Sequence, residues 1–455
     1  MIDFEETFGE ALEFTAEVTP ASFPNLSRHL DADLVEEALL ATGTATLRRR
    51  RLPADRAAWL VIAMAIMRDW SLPEVAAQLE LALPAADGTR TVAPSALVQA
   101  RQRLGAGPME WLFVRTATEW ASASADADRW RGLALYALDG TSMRVADSPE
   151  NRSHFGGHRS GSKHGDSGYP LMRVVVLMAV RSHVLAAATF GPFAVDERVY
   201  ARALWNDLPG RSLVLVDRHH LQSDVLVPMT IADNERYWIT RAKTKTQYTH
   251  VRSLGTGDDL VHLKVSTAAR RNDPSLPAYI EVRAIRYQRK GFQSQVLLTS
   301  LVDAKQYSAD EIRRLYHERW EIELGFGEIK TDMLERLETI RSKSPDAVTQ
   351  EMWGVLIAYN LVRLEMKRIA EELGVAPTRI SFVAALRFFV QHWLSASMTQ
   401  TPGAIPKRLS TMRDRIRRFV NPPRRPDRSY PRAVKLKMSK YDRKRPVSAS
   451  RPATN

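Results

Sequence analysis

The 455-residue chain contains no cysteine. That absence excludes structural disulfides, thiolate zinc sites and cysteine nucleophiles together, leaves oxygen and imidazole as the donors for any metal, and suits a reducing compartment. No run of about 18 apolar residues is present, so no membrane span is expected. The acidic opening "MIDFEETFGEALEF" also lacks the basic-then-apolar order of a signal peptide. The chain reads as cytoplasmic. One local scarcity matters later: of ten tryptophans, none falls within residues 244–305.

What is present is a hydrophobic content of 44%, enough to bury a large core in two or three domains, and a net charge of +13 gathered at one end. Residues 401–455 carry 17 Lys and Arg against three Asp, while the other 400 residues are close to neutral. A basic tail broken by Pro and spiked with Tyr fits a nucleic-acid phosphate backbone. The same composition also suits a solvated, disordered tail.

Residues 1–130 read as short packed helices. "LDADLVEEALLATG" ends on Gly, and "PADRAAWLVIAMAIMRDW" opens with Pro and Asp. "SLPEVAAQLEL" has a Ser cap with Glu three residues on, and "APSALVQARQRLG", opening on Ser95, is expected to expose Gln99, Arg101 and Arg103. The pair is similar to a helix-turn-helix, whose second helix enters the major groove; a bundle that merely packs on the rest reads the same.

From residue 131 the period becomes strand-like. Strands are expected in "LALYALDGTSMRVAD", "YPLMRVVVLMAV", "HVLAAATFGPF", "RSLVLVDRHH" and "RYWITRAK", with helices in "VDERVYARALWNDL" and "SDVLVPMTIADN". This order predicts an α/β sheet with a mixed edge. Alternation within residues 244–306 predicts an inserted β unit, and residues 307–400 supply further helices that cover one face. The expected division is therefore 1–130, 131–243, 244–306, 307–400 and the tail 401–455.

Asp139 and Asp217 are each expected at the end of a buried strand, where a carboxylate is unfavourable unless a cation or hydrogen bonds compensate. Ligands bind at such ends in open α/β sheets. The stretch "YHERWEIELGFGEIK", residues 316–330, adds a third carboxylate. At about 100° per residue, Leu315, Ile322, Phe326, Ile329 and Met333 form one buried stripe. Arg319, Glu323 and Lys330 fall within roughly 60° of Tyr316 along its rim. Alone, this reads equally as an amphipathic helix with an Arg319–Glu323 pair worth a few tenths of a kcal/mol. With Asp139 and Asp217, Glu323 makes an all-oxygen set suited to Mg²⁺ or Mn²⁺. Two such ions activate an attacking oxygen and stabilise the leaving oxygen of a phosphodiester.

"LDGT" at Asp139, "LVDRHH" at Asp217 and the spacing Tyr316-x2-Arg319-x3-Glu323-x6-Lys330 resemble the DDE transposases of the insertion sequence four family. The likeness covers roughly residues 130–395. It implies a ribonuclease-H-like core with a β insertion between the fifth strand and the Glu helix, preceded by a helical end-recognition region. It further implies cut-and-paste transposition, with Asp139, Asp217 and Glu323 as catalytic ligands of two Mg²⁺ ions, Mn²⁺ substituting. Tyr316, Arg319, Trp320 and Lys330 would grip DNA beside the scissile bond; on the helix-turn-helix reading above, Arg101 and Arg103 would contact it from the N-terminal helices. The implied partners are double-stranded DNA, as transposon ends and as target, and a second copy of the chain; the implied location is the bacterial nucleoid. In several members a hairpin forms with a base flipped onto an aromatic ring. The family's stacking Trp has no counterpart in residues 244–305. Tyr287 or Phe292, beside Arg289 and Lys290, either replaces it or packs in the β unit. Two alternatives remain: a non-catalytic DNA-binding protein derived from such a transposase, and a structure-selective nuclease on the same core. The loop "HFGGHRSGSKHG" reads as a basic loop near DNA rather than a zinc site, and His219 and His220 read as packing or hydrogen-bonding residues.

Overall fold

Helix-forming sequence fills the first part of the chain. In the computed structural model, residues 30, 32–45, 51–79, 81–83, 91–157, 168–232, 234–288, 293–335, 339–397 and 415–422 are described, the last turns of 392–397 as backbone alone. The helices there are α1 (Ala32–Ala41), α2 (Ala54–Ile66), α3 (Leu72–Gln78), α4 (Pro94–Leu104) and α5 (Gly107–Asp126). Ser71 caps α3 reciprocally with Glu74, as its sequence predicts. Helix α4 begins one residue before the expected Ser95, because Pro94 is suited to a first helical position and Ala93 precedes it as the extended cap.

The sheet then forms from β1 (Ala134–Val145), β2 (Leu171–Ala179), β3 (Leu185–Pro192), β4 (Ser212–Val216) and β5 (Arg236–Arg241). Helix α6 (Pro149–Phe155) follows β1, and it was not apparent in the sequence. Helix α7 (Glu197–Ala203) precedes β4 and α8 (Ser223–Ile231) follows it. Strands β6 (Tyr248–Gly255), β7 (Asp258–Lys264), β8 (Tyr279–Tyr287) and β9 (Gln295–Thr299), with the short α9 (Thr267–Asn272), make the insertion. The chain continues through α10 (Ala309–Tyr316), a 3-10 turn His317–Arg319, α11 (Trp320–Gly327), a π-helical turn Glu328–Met333 and β10 (Thr339–Ile340). It ends in α12 (Pro345–Leu373) and α13 (Phe382–Ser397).

Strand order is β3-β2-β1-β4-β5-β9-β8-β7-β6. β1, β4 and β5 are parallel, β2 is antiparallel to β1 and β3 antiparallel to β2, which is the ribonuclease-H-like arrangement. The insertion does not form a sheet of its own. β9 returns antiparallel beside β5, through Ile239 opposite Thr299, so its strands prolong the core sheet. Period-two alternation gives each strand two faces, and the two buried clusters lie on opposite faces of the sheet. One holds Leu135 and Ala137 with α11, α12 and the N-terminal helices. The other holds Tyr136 and Leu138 with α7 and α8.

Helix α12 joins the N-terminal helices to this core. Gly354 lets α2 come close: a Cβ there would sit 2.7 Å from Val61 Cγ1 and 2.9 Å from its carbonyl oxygen. Glu351, fully buried, accepts from Arg68 at 2.7 Å and from the amides of Arg341 and Ser342. Arg101 corrects an expectation. It is only 9% exposed and donates to Gln350 Oε1 at 2.9 Å and Ser342 Oγ at 3.0 Å, because its side of α4 faces α12. Burial lowers its guanidinium below the usual arginine range. Arg101 is therefore a tie between helices, while Arg103 stands on the exposed face of α4. Arg289, Lys290, Phe292 and nearly all of residues 401–455 lie outside the described residues, as does most of the His- and Gly-rich loop.

Candidate active site

Parallel pairing of β1 with β4 brings the two aspartates level. Leu138 stands opposite Val216, so the next residue on each strand is Asp139 and Asp217. Asp217 lies just past the end of β4, as expected, but Asp139 is mid-strand: β1 runs on to Val145, held by β2 on its other edge. On the β4 edge, β10 resumes pairing only at Arg144. Residues 139–143 thus have no strand partner on that edge among the described residues, and this break in the sheet is where the site opens.

The segment carrying Glu323 crosses the break. Its apolar stripe is as the spacing predicts, with Leu315, Ile322, Phe326, Ile329 and Met333 all buried. It is not one uniform helix: the 3-10 turn tightens it at Arg319 and the π-helical turn widens it at Lys330. Such π turns recur at functional sites. Glu328 anchors this one, accepting from Tyr359 Oη at 2.7 Å and pairing with His183 and Arg363 at 3.3 Å each.

The side chains at the signature spacing reach the strand ends. Tyr316 Oη donates to the Val216 carbonyl at 3.3 Å, immediately before Asp217. Burial pushes its hydroxyl up to about 12, so it remains a proton donor across the ordinary pH range. Arg319 donates to Glu323 Oε1 at 2.7 Å and lies 3.8 Å from Asp139 Oδ2. Lys330 Nζ is 3.4 Å from Thr141 Oγ1 on β1. Asp139 and Glu323 therefore meet through Arg319, with Asp217 beside Asp139. Burial pushes the Asp139 carboxyl up to about 6, against the Gly140 amide, His220 and Arg319, which favour its charge.

A cavity of about 280 Å³ adjoins Asp217. Arg241, Tyr287, Gln295, Tyr316, Arg319 and Trp320 are among the residues that line it. Tyr287 Oη donates to Gln295 Oε1 at 3.0 Å, and its ring stands edge-on to His317. Trp320 is 45% exposed at the mouth. A second cleft, about 420 Å³, lies beyond His219 between α8 and β7, with Lys243, Lys245 and Lys264 in its wall.

Glu197 was not singled out in the sequence. A Glu in the first turn of a helix is ordinary, since it complements the helix dipole. The available signals were the lone Arg173 in the apolar strand "LMRVVVLMA", which pairs with Glu197 at 3.0 Å, and the Gly after Asp139.

Residues 20–114 match the family described as insertion element 4 transposase N-terminal, and residues 130–361 match the transposase DDE domain. The chain is 37% identical over 437 residues to transposase InsG for insertion sequence element IS4 of Escherichia coli (strain K12), covering 95% of this chain and 97% of that protein. It belongs to the IS4 family of DDE transposases. The putative transposase InsZ of the same organism is 32% identical over 281 residues, 60% of this chain and 92% of that one. A cryo-electron-microscopy structure of a piggyBac transposase synaptic complex with hairpin DNA aligns over 88% of this chain and 85% of its own, at 10% identity and a TM-score of 0.42.

DDE transposases are metal-dependent enzymes that act on DNA. Asp139 on β1, Asp217 just past β4 and Glu323 on the facing segment offer the oxygen donors a divalent cation takes, while the one group of three donor atoms within 4.8 Å of one another among the described residues is Asp139, Glu197 and His220. Among the described residues no helix is long and apolar enough to cross a membrane.

Proposed function

We propose that this protein is a cut-and-paste transposase that cleaves the inverted ends of an insertion sequence and joins their 3′ ends to target DNA. The observation that carries the reading is the register of β1 on β4, which sets Asp139 beside Asp217 under the segment bearing Glu323. Asp139, Asp217 and Glu323 are the residues that would hold two Mg²⁺ or Mn²⁺ ions. When bound, such ions activate the attacking oxygen and stabilise the leaving one. Arg319 and Lys330, on the same side, neutralise phosphate charge as it develops. Tyr316 fixes the end of β4, so Asp217 is held in place against the Glu helix.

The cavity beside Asp217 supports the hairpin step. Tyr287 and Trp320 offer aromatic faces there and Arg241 a cation, a combination that accepts an unstacked base. Tyr287 thereby takes the part for which residues 244–305 offer no Trp. Residues 1–130 recognise the ends, with Arg103 on an exposed face, and the basic tail adds phosphate contacts. Cleaving two ends in one synapsed complex requires two active sites, so the working form is a homodimer on DNA.

The test is cleavage of linear DNA bearing the end of the chain's own element, with Mg²⁺ or EDTA, resolved on denaturing gels. Metal-dependent cutting that Asp217→Ala or Glu323→Ala reduces by about 10³-fold or more, with end binding retained, is the expected result. Normal cutting by either variant removes that residue from the cation site, and binding without any cutting by the unaltered protein favours a non-catalytic DNA-binding role.

A further inference from the structure

Asp139 has a second set of neighbours, on the opposite side of β1 from Glu323. The next residue is Gly140, and a Cβ there would lie 2.4 Å from the carboxylate carbon of Glu197 and 2.7 Å from its Oε2. Only glycine allows Glu197, at the start of α7, to come alongside β1. Arg173 holds the Oε2 oxygen of Glu197 at 3.0 Å, leaving Oε1 to face inward. His220, in the 3-10 turn after Asp217, approaches from the end of β4. Its Nε2 is 3.3 Å from Glu197 Oε1 and 4.0 Å from Asp139 Oδ1.

The His220 ring is fully buried, yet neither of its nitrogens makes a hydrogen bond. Nε2 faces the Glu197 carboxylate out of line for one. A buried imidazole that meets carboxylates without a well-aligned hydrogen bond, and whose Nδ1 has no partner, calls for an explanation, and a bound ion is one. One donor atom each from Asp139, Glu197 and His220 lie within 4.8 Å of one another, the spacing of ligands around a single ion.

We infer that Asp139, Glu197 and His220 form a divalent-cation site on the α7 side of the active centre, with Asp139 shared between this site and the Asp217 and Glu323 side. The inference deepens the catalytic reading above and rests on Asp139 being a cation ligand there. One imidazole and two carboxylates make a mixed donor set. Mg²⁺ favours oxygen donors and its own waters, whereas Co²⁺ and Zn²⁺ accept imidazole readily, and affinities rise from Mn²⁺ to Co²⁺. The site therefore selects Co²⁺ over Mn²⁺ and both over Mg²⁺. Gly140 and Arg173 are positioning residues for Glu197.

The experiment is equilibrium titration of the full-length, DNA-free protein with Mn²⁺, read by the electron paramagnetic resonance of free Mn²⁺, and with Co²⁺, read by its visible absorption. One tightly bound ion is expected. Glu197→Gln, which keeps the Arg173 contact, and His220→Asn each weaken it by about 10-fold or more, since loss of a ligand exceeds loss of an outer-shell partner. The double variant Asp217→Asn with Glu323→Gln keeps that ion while losing cleavage. If His220→Asn fails to fold, Glu197→Gln and Gly140→Ala carry the test. Unchanged affinity in Glu197→Gln, or no bound ion in the unaltered protein, overturns the inference. An ion lost only in the double variant overturns it too while leaving the catalytic reading standing, and cleavage surviving in the double variant overturns the catalytic reading instead.

Discussion

Two buried clusters in this molecule each join a histidine to two carboxylates and an arginine, and their electrostatics run in opposite directions. In one, both ring nitrogens of His183 are engaged, with Glu321 at 2.9 Å and Glu328 at 3.3 Å, and Tyr359 and Arg363 complete the shell of Glu328. Burial works against the Glu328 charge, but Arg363, His183 and Tyr359 together hold its carboxyl down at about 2. In the other, His220 meets Glu197 Oε1 at 3.3 Å without a well-aligned hydrogen bond, its Nδ1 has no partner, and burial pushes Asp139 up to about 6. A satisfied buried network specifies structure, and here it fixes the π-helical turn that carries Lys330. An unsatisfied one lowers the stability of the protein by itself and is retained where a ligand or a reaction needs it.

The sharpest way to break this contrast is to neutralise one carboxylate in each cluster and measure both cutting and stability. Asp139→Asn reduces cleavage by about 10³-fold or more, whereas Glu328→Gln retains cleavage in whatever fraction remains folded. Stability moves the other way. Glu328→Ala strands Arg363 and costs about 3–5 kcal/mol in denaturant unfolding. Asp139→Asn removes a disfavoured charge and gains on the order of 2 kcal/mol at pH 7. A loss of stability in Asp139→Asn would erase the distinction.

The pH dependence of unfolding sharpens the same point. The Glu328 carboxyl has an ordinary value of 4.5 and a folded value of about 2, so its stabilisation is complete above about pH 4.5 and is lost as pH falls through about 2. Asp139 runs from 3.8 to about 6, so its charge lowers stability above pH 6 and that penalty disappears as pH falls below 3.8. Glu328→Gln is expected to flatten the acid limb of the stability profile, and Asp139→Asn to flatten the decline between pH 4 and 6. The smallest effect concerns α4. Arg101→Met loses about 1–3 kcal/mol of stability with an unchanged salt slope for DNA binding, while Arg103→Ala reduces that slope by about one.

Much of this was legible from periodicity. The stripe from Leu315 to Met333 is buried, and the five core strands and the helices on either side of β4 lie where alternation and apolar runs predict, the helix Pro149–Phe155 being the one missed. Elements read well because each is set by its own residues. The misreadings concern relations between elements. Asp139 looked terminal because the apolar run stops there, yet β1 continues, since β2 still pairs with Gly140 to Arg144. Arg101 looked exposed because its partner, Gln350, is 249 residues away. Glu197 escaped notice because its role depends on Gly140 and His220, which only the fold brings to it. The π-helical turn that breaks the Glu helix depends on contacts of Glu328 with His183, Tyr359 and Arg363, and local spacing carries no trace of those.

The most direct test compares the unaltered protein, Asp139→Asn and Glu328→Gln for Mg²⁺-dependent cutting of DNA carrying the end of the element, with the folded fraction of each measured in the same buffer. Cutting per folded molecule should vanish in Asp139→Asn, which is at least as stable as the parent, and persist in Glu328→Gln, which is less stable. Cutting that persists in Asp139→Asn, or that falls in Glu328→Gln well beyond its loss of folded protein, would contradict the division between a reactive and a structural cluster.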